Sequence, residues 1–463
     1  MIRSRVLKTF CLFVLAALAL ALAGCRPMLQ LDTPGEISRR ALLDSAIAWD
    51  APGQAIDVAD DSAAAESLSM PQATLLSVKN SPELAAALWK VRQAQADAQQ
   101  ERLLPNPILT LTVRFVEGGG NPAIEASLAE DFLALLRRGR KISAADDKLR
   151  AASADALTQA INLVAQAQEQ YLSTAIVDAE LEILQERRKL LERSLQIANV
   201  RLKAGEGTRL DVTTLEAQLI ELQAEQADFE SERTQQRLTL ARLIGRPGGT
   251  IDWTLDRADI SAGISGTEQQ WIAAALANRP EIESKRWELA SLGEETALAD
   301  WSLFEGSDIG VMSQRDPDWQ VGPSLTLPLP IFDNGQARKS KATAAQMQVV
   351  HEVVAIQRQV VEEVRKAYAA LAASRAAEAR VRNDLLPLLE KRREQAEAAY
   401  RAGESDLTTL LLAQDTLATS RAKWIELKEK AAIATVKLDR AVGGRGAAAQ
   451  IKLPTTAPTT PTK

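Results

Sequence analysis

The chain has 463 residues, a formal net charge of −6, and 46% apolar residues of which few are aromatic, at 4% of the total. This acidic balance does not suggest nucleic acid as a partner. The scarcity of rings argues against large globular cores and favours Ala- and Leu-rich helices packed at close range. One histidine (His351) and two cysteines (Cys11 and Cys25) leave no ligand set for a soft metal, and no phosphate loop or nucleophile motif is present, so neither a metal, a cofactor nor an enzyme is expected.

Taken in order, the chain opens with Arg3, Arg5 and Lys8 followed by an apolar run over residues 10–23, too short to span a bilayer as a helix and suited to a secretion signal (1–24). Leu22-Ala23-Gly24-Cys25 follows directly and resembles the bacterial lipobox, whose cysteine is acylated and becomes the mature N-terminus. By the same resemblance, Arg26 in place of aspartate implies sorting to the outer membrane. Residues 25–70 read as a lipid-anchored linker with a short helix near 38–47. A helix is predicted over 72–104, interrupted at Asn80-Ser81-Pro82-Glu83, where proline fits a first turn and Glu83 suits the positive helix end.

The period then changes from helical to two. Leu109, Leu111, Val113 and Phe115 alternate with Thr110, Thr112 and Arg114, Gly118-Gly119-Gly120-Asn121 turns the chain, and Ile124, Ala126 and Leu128 alternate with Glu125 and Ser127. A strand of about nine residues can cross a bilayer when tilted, but a surface hairpin on a soluble domain has the same pattern. Residues 140–204 contain neither glycine nor proline, and Leu184, Leu191 and Ala198 recur every seven positions with Leu195 and Leu202 beside them, the stripe of a helix packed along its length. Ala204-Gly205-Glu206-Gly207 reverses the chain into a return helix to about 244, and 250–267 is a connector.

Shifted by 198 residues, the chain matches itself without a gap. Asn80-Ser81-Pro82-Glu83 meets Asn278-Arg279-Pro280-Glu281, Trp89 meets Trp287, Arg140-Lys141 meets Arg338-Lys339, and Ala204-Gly205-Glu206 meets Ala402-Gly403-Glu404. The second half (268–443) therefore predicts a helix over 268–304, strands over 308–314 and 319–329, and a long helix over 336–402 whose only proline is Pro387. A return helix follows to 442, and residues 444–463 are expected to be disordered. At about 1.5 Å per residue the 336–402 helix would be about 100 Å long, far beyond the needs of a globule.

Asn80-x-Pro82-Glu83, Leu104-Pro105-Asn106-Pro107, the run from Leu327-Pro328 to Asn334-Gly335, and Tyr400-Arg401-Ala402-Gly403-Glu404 with Leu411-Leu412-Ala413-Gln414 resemble TolC-type outer-membrane efflux proteins over about residues 70–445. The resemblance implies a mainly α fold carrying a membrane β-barrel. Duplicated long helical hairpins would form an α-barrel, and two β-hairpins per protomer would complete a 12-stranded barrel in a homotrimer. It also implies an exit duct in the outer-membrane lipid that works with a periplasmic adaptor (membrane fusion protein) and an inner-membrane pump. A periplasmic adaptor or coiled-coil scaffold lipoprotein is the alternative. The implied adaptor-docking tips hold Arg201, Ala204, Gly205, Arg401, Ala402 and Gly403. Asp211, Asp406 and Thr409 are gate candidates at the periplasmic entrance, where rings of carboxylates select cations. Thr208-x-x-Asp211 equally fits a capping box and Asp406 an N-cap. Arg114 and Glu125 fall on the presumed lumen face. The exit of the first hairpin, Glu130 to Gly139, lacks the family's proline, and Thr409 stands where the family often has an acid.

Overall fold

The computed structural model describes residues 28–43, 67–115, 122–256, 266–315 and 319–452. The signal sequence, Cys25, the turn at 118–121, and parts of the linker, the connector and the tail lie outside the described residues. Two compact units are present. The first comprises 1–33, 86–156 and 280–357, and the second 34–85, 157–279 and 358–463.

In chain order the elements are α1 (Thr33–Ala41), β1 (Ser67–Leu68), α2 (Met70–Asn80), α3 (Pro82–Gln100), β2 (Ile108–Arg114), β3 (Ala123–Asp131), α4 (Phe132–Lys203), α5 (Arg209–Leu243) and β4 (Thr254–Leu255). They continue with α6 (Glu268–Asn278), α7 (Pro280–Ala299), a 3-10 turn (Asp300–Phe304), β5 (Asp308–Arg315), β6 (Trp319–Thr326), α8 (Gln336–Arg380), a π turn (Val381–Leu385), α9 (Leu386–Ala402), α10 (Leu407–Ala441) and α11 (Arg445–Lys452). The 198-residue repeat is visible in detail. Ser69 caps α2 in a capping box with Gln72, and Thr267 caps α6 in the same box with Gln270. In each copy the helix then breaks and restarts on a proline, Pro82 or Pro280, whose missing N–H costs nothing in a first turn.

In the first unit the sheet order is β2-β3-β5-β6, all antiparallel. Arg102 donates to both oxygens of Asp146 at 2.7 and 2.8 Å, joining α4 to the residues just after α3. In the second unit β1 and β4 pair in parallel, and the buried Tyr171 hydroxyl lies 2.8 and 2.7 Å from the carbonyl oxygens of Leu68 and Asp256 beside that pair. Burial, and then the Asp256 charge, push the Tyr171 phenol up to about 12. Another core of this unit is built from four helices: Leu184, Leu191 and Ala198 of α4 with Leu215 and Leu222 of α5, Tyr400 of α9, and Leu407 and Leu410 of α10. Leu195 and Leu202 pack on its margin, so the seven-residue stripe is the seam of the packed helices.

Several boundaries differ from the sequence reading. The first long helix starts at Phe132, not 140, because Asp131 accepts from the N–H of Ala134 at 3.0 Å and pairs with Arg137 at 2.7 Å. The strand thus passes straight into the helix and needs no proline. In the second copy β6 stops at Thr326, since Pro328 and Pro330 cannot donate to a ladder. The second rod loosens into a π turn just before Pro387, whose ring crowds the carbonyl four residues back and which has no N–H to offer it. The helix near the N-terminus is at Thr33–Ala41 rather than 38–47. The segment from 444 is ordered over its first part, because α11 buries Ala447 and Ala448.

Candidate functional site

Two features can carry a transport function: the four-stranded sheet and the two helical tips. The register places Leu109, Leu111 and Val113 across from Leu128, Ala126 and Ile124, and these lead on to Val311, Ser313 and Arg315 and then to Pro323, Val321 and Trp319. One face is therefore apolar, broken by Ser313 and, near its ends, by Glu130 and Arg315. Leu109 and Val321 are each 71% exposed, and among the described residues no element covers them. An uncovered apolar sheet face of this size is abnormal in water and normal against lipid. The opposite face carries the row Thr112, Glu125, Gln314, Gln320 and the row Thr110, Ser127, Met312, Gly322. Arg114 and Glu125 meet on that face as a diagonal ion pair at 2.9 Å. Ile108 and Met312 are its large apolar members. Among the described residues no helix is long and apolar enough to cross a membrane.

At the first tip α4 ends at Lys203, and the N–H groups of Glu206 and Gly207 turn back to the Arg201 carbonyl at 2.9 and 3.1 Å. Gly205 takes the left-handed φ of +78° that this reversal demands, and Gly403 takes +80° at the second tip. Thr208 caps α5 by accepting from the Asp211 N–H at 3.2 Å, while Asp211 accepts from the Thr208 N–H at 3.3 Å. At the second tip Asp406 caps α10, accepting from the Thr409 N–H at 3.0 Å and from its hydroxyl at 2.6 Å. These bonds hold the exposed Asp406 carboxyl below its usual range.

Arg201 joins the tips. Its guanidinium lies 4.7 Å from the Tyr400 ring centroid and donates to the Tyr400 carbonyl at 2.7 Å. Tyr400 is buried, and burial, then the Asp211 charge, raise its phenol pKa. Below the second tip the buried Glu397 carboxylate takes Arg193 at 2.9 Å, Arg401 at 2.8 Å and Arg393 at 3.1 Å. Sequence reading missed this cluster, although Arg393-Glu397-Arg401 is a visible i, i+4 ladder.

The Outer membrane efflux protein family matches residues 76–246 and 271–444, one stretch for each copy of the repeat. The chain belongs to the outer membrane efflux protein family. It is 25% identical over 405 residues to the pyoverdine export outer membrane protein OpmQ of Pseudomonas aeruginosa, covering 79% of this chain and 83% of that protein. It is 22% identical over 386 residues to the cobalt-zinc-cadmium resistance protein CzcC of Cupriavidus metallidurans, covering 82% and 91%. Solved structures share its fold. CusC superposes with a TM-score of 0.68 at 18% identity over 81% of this chain and 92% of CusC. The outer-membrane channel OprN gives 0.65 at 17% identity over 91% and 97%. As a member of this family the chain is an outer-membrane channel of an efflux system, and the adaptor or scaffold alternative falls away.

Of the expected site residues, the structure brings Arg114 to Glu125, Arg201 to Tyr400, and Asp406 to Thr409. Ala204, Gly205, Ala402 and Gly403 are exposed at the two turns. Arg201 is largely spent on the partner tip, and Arg401, though 55% exposed, is held by Glu397. Cys25 lies outside the described residues.

Proposed function

We propose that three copies close their four-stranded sheets into one 12-stranded barrel and that the chain serves as the passive exit duct of a tripartite efflux or type I secretion system. The observation that carries this is the sheet itself, apolar on one face and polar on the other, with free edges at β2 and β6. Four strands expose two edges, and closure removes them. The Arg114–Glu125 pair then lies in the lumen. The tips at Arg201–Gly205 and Arg401–Gly403 meet a periplasmic adaptor, itself linked to an inner-membrane pump, and Asp211 and Asp406 form acidic rings at the entrance, with Thr409 in place of a third. No catalytic step is assigned to any residue.

Residues 1–24 are removed as a signal, Cys25 carries lipid, 25–70 tether the mature chain, and 71–249 and 268–443 are the two repeats. The names of OpmQ and CzcC point to two kinds of cargo, pyoverdine on the one hand and cobalt, zinc and cadmium on the other, and the inner-membrane pump makes the choice between them. Purified outer membranes test the assembly: a band that runs as a trimer unheated and as a monomer after boiling is expected, and an inner-membrane protein with no heat-modifiable form contradicts it. Mass spectrometry of the mature N-terminus is expected to find an acylated Cys25.

A further inference from the structure

The sheet has three paired seams and two open edges, and the registers of its strands constrain how those edges can meet. Ile108, Ala129, Gly310 and Ser324 stand in one row across the four strands. We propose that β6 pairs antiparallel with β2 of a second copy of this chain, with Ser324 opposite Thr112 of that copy. The proposal rests on the trimeric barrel proposed above and assigns its seam.

The two faces supply the first constraint. On β2 and β6 the even-numbered residues lie on the polar face and the odd-numbered ones on the apolar face. A seam that matched odd with even would turn one strand's apolar set toward the polar side, so partners must agree in parity. Closure supplies the second. A barrel closes only with a stagger, and three identical seams must share it equally, each by an even number of residues. For 12 strands about 4.8 Å apart with a rise of about 3.3 Å per residue, a share of two residues tilts the strands by about 19°, four by about 35° and six by about 46°. Barrel strands tilt by about 35–45°, so zero and two are excluded.

The prolines fix the direction. A stagger of four in the opposite sense would draw Pro105 and Pro107 into the ladder, where neither can donate. Between the two surviving registers, a share of four sets residues 110–114 against 326–322, five pairs among the described strand residues. A share of six retains 112–114 against 326–324. Under the longer seam Leu111 meets Leu325 on the apolar face, both exposed in the single chain at 65% and 61%. Arg114 faces Gly322, where even an added Cβ would meet nothing within 4 Å, so the guanidinium is not crowded. In the longer seam Pro323 stands opposite Val113 and has no N–H to offer.

Cysteine pairs read the register directly, because directly opposed strand residues fall within disulfide reach. The full-length chain carrying Thr112→Cys with Ser324→Cys is purified from outer membranes, oxidised with copper phenanthroline and run without reductant, with each single variant as control for Cys25. Reducible covalent dimers and trimers are expected. Thr110→Cys with Thr326→Cys probes the same register should the first pair fail to insert. Cross-linking of Arg114→Cys with Ser324→Cys in place of these pairs, or no cross-link while the heat-modifiable trimer persists, overturns the register. Loss of the trimer in the unsubstituted chain overturns the barrel reading itself.

Discussion

The two tips solve one problem with the same two residue types in opposite order. Thr208 caps the first return helix with Asp211 three residues inside it, whereas Asp406 caps the second with Thr409 three residues inside. Both arrangements put one carboxylate at a positive helix end and satisfy its first N–H groups, so for capping the swap is close to neutral. It is not neutral for what the acid faces. The Asp211 charge bears on the Tyr400 phenol across the tips, while the hydrogen bonds that lower Asp406 come from Thr409 on its own helix and from its own backbone. A duplicated sequence therefore gives acids in unequal surroundings: the charge of one reaches a side chain of the other hairpin, while the other is bonded within its own helix.

The largest test of this comparison is whether the tips share one core. Leu215 of the first return helix and Leu410 of the second are both fully buried in it. Leu215→Ala and Leu410→Ala should each cost about 2–5 kcal/mol, read as lowered thermal unfolding of the helical part. A large loss for one and none for the other would separate the tips. Arg201→Ala comes next, at about 1–2 kcal/mol, since it removes a hydrogen bond to a carbonyl and a ring contact together. Arg401→Ala should cost less than about 1 kcal/mol, because Glu397 keeps Arg193 and Arg393. Equal losses from the two arginines would break the asymmetry.

Thr208→Ala should cost about 1 kcal/mol as a lost cap. Asp406, with its folded pKa below the unfolded value, adds stability at neutral pH that fades as pH falls through its acidic range, and Asp406→Asn should flatten that part of the stability profile. The smallest effect is electrical. Asp211→Ala should change single-channel conductance and its cation response more than Asp406→Ala, and identical traces for both would remove the proposed gate.

Much of this was legible in the sequence because it repeats at short range. The seven-residue stripe through Leu184, Leu191 and Ala198, the proline restarts, and the strand alternation from Leu109 to Val113 are local periods, and each became a buried seam, a helix start or a sheet face. Contacts between distant positions have no such period. Tyr171 held between Leu68 and Asp256, and Glu397 gathered by Arg193 as well as its own helix neighbours, needed the fold to bring them together. Boundaries failed where one side chain overrode a pattern: Asp131 started a helix early, and Pro387 loosened one that composition alone would have kept regular.

Planar-bilayer recording on the purified full-length chain tests the central claim most directly. Stable ion conductance from the heat-modifiable trimer, without added adaptor or pump, is the expected result. A properly folded outer-membrane trimer that never conducts, under any salt or voltage, would contradict a duct whose wall is this sheet.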